Sequence, residues 1–225
     1  MTQLLERPVW HALRTRQSAF AQGSSRALRY MSDISPFASA EDESPEALTE
    51  LAALIPPDGT VLILQASSLP IPKGTVAMVE AEGTQMVARS VAVPASSPDV
   101  IDLGEEDAAE MHALATLTKP GPFLPHTHRL GSFVGIRQGG RLVAMAGERM
   151  KLPGYTEVSG VCTHPDARGR GYAGLLSRVV SGRIMARGET PFLHAYASNH
   201  AAIRLYESLG FEVQRHMHVK VLRRA

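Results

Sequence analysis

Val161-Cys162-Thr163-His164-Pro165-Asp166-Ala167-Arg168-Gly169-Arg170-Gly171-Tyr172-Ala173 is the stretch whose reading decides the fold. A β-prone run over residues 156–163 ends at a proline-containing turn. A glycine-rich loop then opens into an amphipathic helix that carries Leu175, Leu176, Val179, Val180 and Ile184 on its inner side. This layout aims free backbone N–H groups and the positive end of a helix dipole at one spot, which favours a bound phosphate. A Walker A loop would need Gly-Lys-Ser/Thr, and Gly171-Tyr172-Ala173 supplies neither the lysine nor the small hydroxyl residue. A dinucleotide fingerprint can be laid over residues 169–174 only by force. It should follow the first strand of a βαβ unit, whereas three antiparallel strands precede it here.

Working outward, residues 102–118 read as a helix with Glu105, Glu106 and Asp107 early, Lys119 just beyond its end, and an apolar face of Met111, Leu114 and Leu117. Residues 133–137 and 142–150 read as a hairpin around Gln138-Gly139-Gly140. Downstream of the loop, the helix stops before Gly188 and a strand follows over 191–197. Asn199 caps a second helix that ends at Gly210, and residues 211–222 form a closing strand. The order α–β–β–β–α–β–α–β predicts an α/β domain with a mixed sheet.

Upstream, Pro8 suits the first position of a helix carrying Val9, Trp10 and Leu13, and Ser44-Pro45 opens another with Leu48, Leu51 and Leu54. Residues 61–64 read as a buried strand, and 75–80 with 85–93 as a hairpin around Glu82-Gly83. This half shows no phosphate loop, metal cluster or nucleophile pattern. Residues 94–98, rich in serine and proline, predict a linker between an N-terminal α/β domain, 1–97, and a second domain, 98–225.

Composition narrows the partners. Among 225 residues, 44% are hydrophobic and 20% charged, and the formal net charge is +1. That balance gives no global electrostatic case for nucleic acid or an anionic membrane. A single cysteine, Cys162, rules out an intramolecular disulfide framework and any CxxC motif. No apolar run approaches the roughly 20 residues of a membrane span, and the first residues lack the order of a signal peptide, so a cytoplasmic protein is expected.

Arg168-Gly169-Arg170-Gly171-Tyr172-Ala173 matches Q/R-x-x-G-x-G/A, and Asn199-His200-Ala201-Ala202-Ile203-Arg204-Leu205-Tyr206-Glu207-Ser208-Leu209-Gly210-Phe211 matches N-x-x-A-x-x-L-Y-x-x-x-G-F. With these motifs in this order, residues 100–225 resemble the GCN5-related N-acetyltransferases (GNAT), in particular their FR47-like branch. The N-terminal half resembles the degenerate first domain found ahead of some FR47-like and glycine N-acyltransferase-like modules, and by that analogy it would pack on the second domain and shape the acceptor pocket.

The resemblance implies a reaction and a set of roles. Acetyl-CoA serves as cosubstrate, no metal takes part, and a small-molecule or peptide amine attacks the thioester directly in a ternary complex. Arg168, Gly169, Arg170, Gly171, Tyr172 and Ala173 would cradle the coenzyme A pyrophosphate. A bulge at Gly160 would splay a pair of parallel strands so that Val161 and Thr163 meet the pantetheine arm, with the Cys162 N–H near the thioester carbonyl as an oxyanion donor. Asn199 and Tyr206, about 10 Å apart on one helix face, would touch the pantetheine arm and protonate the departing thiolate. Glu157, eleven positions before Arg168, is the expected general base and Glu148 the reserve. A homodimer built on the last strand is compatible with this reading. The alternative is a non-catalytic acyl-CoA-binding regulatory or interaction module.

Overall fold

The computed structural model describes residues 2–93 and 99–225; the linker expected at 94–98 lies outside them. Eleven strands appear among the described residues: β1 (Ala21–Gly23), β2 (Ala27–Tyr30), β3 (Ala38–Ala40), β4 (Val61–Gln65), β5 (Thr75–Ala88), β6 (Ile101–Leu103), β7 (Phe133–Gln138), β8 (Arg141–Leu152), β9 (Tyr155–Thr163), β10 (Thr190–Tyr196) and β11 (Phe211–Arg224). The α-helices are α1 (Pro8–Arg14), α2 (Pro45–Ala53), α3 (Ala108–Thr118), α4 (Tyr172–Ala186) and α5 (His200–Ser208). Strands β1 to β3 form a small antiparallel sheet. The other eight form a mixed sheet in the order β4-β11-β5-β10-β9-β8-β7-β6.

Local chemistry sets the boundaries. The turn between β7 and β8 has Gly139 and Gly140 at φ 55° and 83°, the pair of positive angles that a tight hairpin of the primed type requires. The Ser44 hydroxyl accepts from the Ala47 N–H at 3.3 Å, and Pro45 takes the first turn of α2. Helix α3 packs on one face of the sheet through Met111 and Leu114, against Phe133, Met145 and Cys162. Helices α4 and α5 pack through Leu176, Val180, Ile184 and Tyr206, in a cluster with Ala144, Ala146, Val158 and Leu193.

Three elements differ from the sequence reading. Residues 75–88 form one continuous strand, not a hairpin around Glu82-Gly83. β5 pairs antiparallel with β11 from Phe211↔Ala88 to Arg224↔Thr75, and with β10 from Phe192↔Val87 to Tyr196↔Gly83. Partners on both edges favour an extended backbone over the local turn tendency of Glu-Gly. Residues 101–103 are strand rather than helix, because Asp102 pairs with Val134; α3 begins only at Ala108, after a 3₁₀ turn whose Asp107 carboxylate accepts from the Gly104 N–H at 2.9 Å. The short strands β1 to β3, of three or four residues each, carry too little pattern to be read.

A boundary at residue 97 runs through a shared sheet. Strands β4 and β5 lie in the same sheet as β6 to β11, and β5 sits between β10 and β11. One apolar cluster joins Leu5, Val9, Trp10 and Leu13 to Met150, Leu152, Phe192 and Met217. Among the described residues no helix is long and apolar enough to cross a membrane.

Candidate functional site

β9 and β10 are the parallel pair of the large sheet, and their pairing runs only from Thr190↔Tyr155 to Phe192↔Glu157. Beyond that point β9 carries a bulge. Met145 and Gly147 of β8 face Cys162 and Ser159, so β9 has one residue more than its partner, and Gly160 takes φ 64°. A bulge bends its strand and strengthens the local twist, so β9 and β10 diverge and leave a gap. A Cβ at Gly160 would also stand 3.0 Å from the Phe133 ring. Glycine is therefore favoured there by its positive φ, and a side chain would also press on that ring.

The backbone groups around the gap are sorted by the ladder. The His164 N–H donates to the Val143 carbonyl at 2.7 Å, and alternation makes Cys162, opposite Met145, the next hydrogen-bonded position. Val161 and Thr163 thus turn their backbone groups toward the gap. The Cys162 N–H is turned toward β8, which corrects its reading as an oxyanion donor. The Cys162 thiol packs among Met111, Leu114 and Met145, and burial pushes it up to about 11, so it stays protonated at neutral pH.

A cavity of about 440 Å³ lies at the amino end of α4, lined by Val161, Cys162, Thr163, Arg168, Gly169, Arg170, Gly171, Tyr172 and Ala173, together with Asn199 and Tyr206 from the α5 side. Gly169 and Gly171 have φ 76° and 75°, and a Cβ at either would meet nothing within 4 Å. The cradle is therefore open at both glycines, and Gly171 begins the 15-residue helix α4 with its first N–H groups free. Arg168 and Arg170 flank it. This donor set and charge fit a pyrophosphate. The Tyr172 hydroxyl is held by Gln138 Nε2 at 2.7 Å.

A second cavity, of about 200 Å³, shares Lys119, Pro120, Val161, Asn199, Ala202 and Tyr206 with the first, and extends to Phe37, Leu62, Leu64, Arg149, His194 and Val219. The N-terminal half thus builds a portion of its wall. Asn199 caps α5, its Oδ1 accepting from the Ala202 N–H at 3.1 Å. Positions 199, 202 and 206 form one stripe along α5 that borders both cavities. Tyr206 is 9% exposed, its ring meets Phe211 edge-on with centroids 5.9 Å apart, and burial raises its hydroxyl to about 12. It remains a neutral donor across the physiological range.

The two carboxylates named from sequence do not reach this junction. Glu157 is fully buried and lines neither cavity. Arg149 grips it with Nε and Nη2 at 2.8 and 2.7 Å, and His194 Nδ1 stands 2.7 Å from its Oε1. Although burial opposes ionisation, the Arg149 charge and these hydrogen bonds hold the carboxyl down at about 2. A carboxylate so held is a poor proton acceptor, which corrects its reading as the general base. Glu148 points to Arg187, at 2.7 Å, and Lys151, at 2.9 Å, and lines neither cavity. The sequence reading passed over Arg149, Lys119, His194 and Phe37. A charged pair, Glu148-Arg149, inside the otherwise apolar run 142–150 was the one available signal.

A mixed sheet opened at a bulge, with an open glycine cradle at a helix start on one side of the gap, is an acyl-CoA N-acyltransferase fold. FR47-like proteins as a family match residues 133–219. A crystal structure from Novosphingobium aromaticivorans DSM 12444, assigned to the GNAT family of acetyltransferases, is 44% identical, with 98% of each chain covered and a TM-score of 0.93. N-alpha-acetyltransferase RimI of Mycobacterium tuberculosis is 37% identical over 91 residues, 39% of this chain and 54% of that protein. Mycothiol acetyltransferase of Mycobacteroides abscessus is 33% identical over 108 residues, 48% of this chain and 34% of that protein. The chain thus spans about half and about a third of these two curated relatives. It belongs to the GNAT acetyltransferase family.

Proposed function

We propose that the protein transfers an acetyl group from acetyl-CoA to an amine by direct attack within a ternary complex. The observation that carries this reading is the gap where β9 and β10 diverge. It is flanked by the α4 cradle and by the second cavity, with Tyr206 bordering both. Gly169, Gly171 and the first N–H groups of α4 would hold the pyrophosphate, with Arg168 and Arg170 adding charge. Val161 and Thr163 would pair with the pantetheine arm through the backbone groups they turn to the gap, and Asn199 would close the same path from α5.

The reaction forms one C–N bond and breaks the C–S bond of the thioester. The amine loses a proton and the sulfur gains one. Tyr206 would give its proton to the departing sulfur and recover one from solvent. No carboxylate lines the second cavity, so the amine proton would leave through water. Glu157 would act on Arg149 and His194, holding both in place, rather than on substrate.

The test follows free-thiol release from acetyl-CoA over a panel of amines, alongside the melting temperature with coenzyme A and with NAD(P). Stabilisation by coenzyme A together with amine-dependent thiol release is expected, since a ligand that binds only the native state raises stability. Stabilisation by NAD(P) but not by coenzyme A would overturn the reading. Binding of acetyl-CoA without turnover of any amine would favour a non-catalytic module.

A further inference from the structure

The second cavity carries two cations, Arg149 and Lys119, and neither Asp nor Glu lines it. Arg149 is 7% exposed, with its guanidinium carbon 4.8 Å over the Phe37 ring. Nε and Nη2 are committed to Glu157. Nη1 has no acceptor among the described residues, and it is not among their sealed, unpartnered polar atoms, so this edge of the fork is open to the cavity. A guanidinium presents five donors in a fixed plane, and one carboxylate satisfies only one edge of it.

Lys119 adds a second cation at the junction of the two cavities. It is the only non-glycine residue at positive φ among the described residues, at 52°, where it ends α3. The left-handed conformation costs a side chain about 1–2 kcal/mol, and glycine would take this helix-ending position at no such cost. The exposed lysine is held there beside both cavities.

Given the acyltransferase reading, on which this inference rests, we infer that the acceptor is a free amino acid or an equally small amine bearing a carboxylate, with the carboxylate on Arg149 Nη1 and the amine at the gap. A di- or polyamine would bring a second positive charge into a cavity that offers it no anion. The apolar side chains of Phe37, Leu62, Leu64, Val158 and Val219 line it beside the polar Ser159 and Asn199 and the rings of Tyr196 and Tyr206. A cavity of about 200 Å³ suits an apolar side chain of leucine size.

The experiment measures kcat/KM, per neutral amine, for a panel of α-amino acids. Each is matched with its amide and its decarboxylated amine (for leucine, leucinamide and isopentylamine). At least one amino acid is expected to exceed both counterparts by tenfold or more. Arg149→Lys keeps a cation for Glu157 but gives up the Nη1 edge, and Lys119→Ala removes an exposed charge. Each is expected to lower the rate for the amino acid several-fold more than the rate for its decarboxylated counterpart. Amines or amides that match or exceed every amino acid, or variants that lower both rates alike, overturn the inference and leave the acyltransferase reading standing. Absence of thiol release with every amine overturns that reading itself.

Discussion

Arg149 and Glu157 face each other between β8 and β9 in a two-pronged pair, Nε to Oε2 at 2.8 Å and Nη2 to Oε1 at 2.7 Å. The pair sits where β8 carries a bulge of its own, since Glu148 and Lys151 oppose Val158 and Thr156. It links the strand that bends away at the gap to the wall of the second cavity. From there His194 continues to Gln85, at 2.9 Å, whose Nε2 also donates to the Leu5 carbonyl at 2.9 Å. The N-terminal segment is thereby joined by hydrogen bonds to the strands that form the site.

Glu157→Gln separates support from proton abstraction. Removing one partner of a buried ion pair costs about 3–5 kcal/mol, because the other charge is left without compensation. A large drop in melting temperature is expected. Activity should fall in amplitude while the pH–rate profile keeps its shape, because the variant loses a support and not the titrating base. Disappearance of one limb of the profile would restore Glu157 as the base.

The same pair predicts acid sensitivity. Its carboxyl lies near 2 in the folded protein, against an ordinary value of 4.5. A depressed value means that the unfolded chain takes up the proton first. The stabilisation is therefore complete above about pH 4.5 and is lost as the pH falls toward 2, with a size of roughly 3 kcal/mol. Urea midpoints measured at pH 6, 4 and 2.5 should show wild-type protein and Glu157→Gln converging at the acid end. A gap that stays constant with pH would exclude this assignment.

Tyr206→Phe removes one hydroxyl from a ring that keeps its packing on Phe211. Turnover should fall by about 10²–10⁴, the usual worth of a positioned proton donor. Calorimetric affinity for coenzyme A should stay within about threefold and the melting temperature should scarcely move. Full activity in this variant would remove Tyr206 from the chemistry.

Gly171→Ala tests the cradle. The added methyl meets nothing within 4 Å, so the cost to stability comes from φ 75° alone, about 1–2 kcal/mol. The backbone can relieve that strain only by turning the first N–H groups of α4 away from their common target. Coenzyme A affinity should drop at least tenfold, which isothermal titration would register. Unchanged affinity would place the pyrophosphate elsewhere.

The glycine cradle and the cavity at the amino end of α4 were legible in the sequence because they are built from nearly contiguous residues. Gly169, Gly171 and Ala173 lie within ten residues of Thr163, beyond a short 3₁₀ turn, and Asn199 caps the helix that carries Tyr206. Glycine conformation, helix capping and the 3.6-residue repeat are all local, and a sequence displays local physics openly. The second cavity was not legible. Phe37, Leu62, Lys119, Arg149, His194 and Val219 meet only because β5 lies between β10 and β11, carrying the N-terminal half into the same sheet. Glu157 shows the same division at a single residue. Its position on the strand could be counted from Arg168, but its burial and its capture by Arg149 depend on strand register and on a bulge in β8. Contacts between residues distant in sequence arise from packing and pairing on both strand edges, and these decided which groups face the cavity and which are sealed behind it.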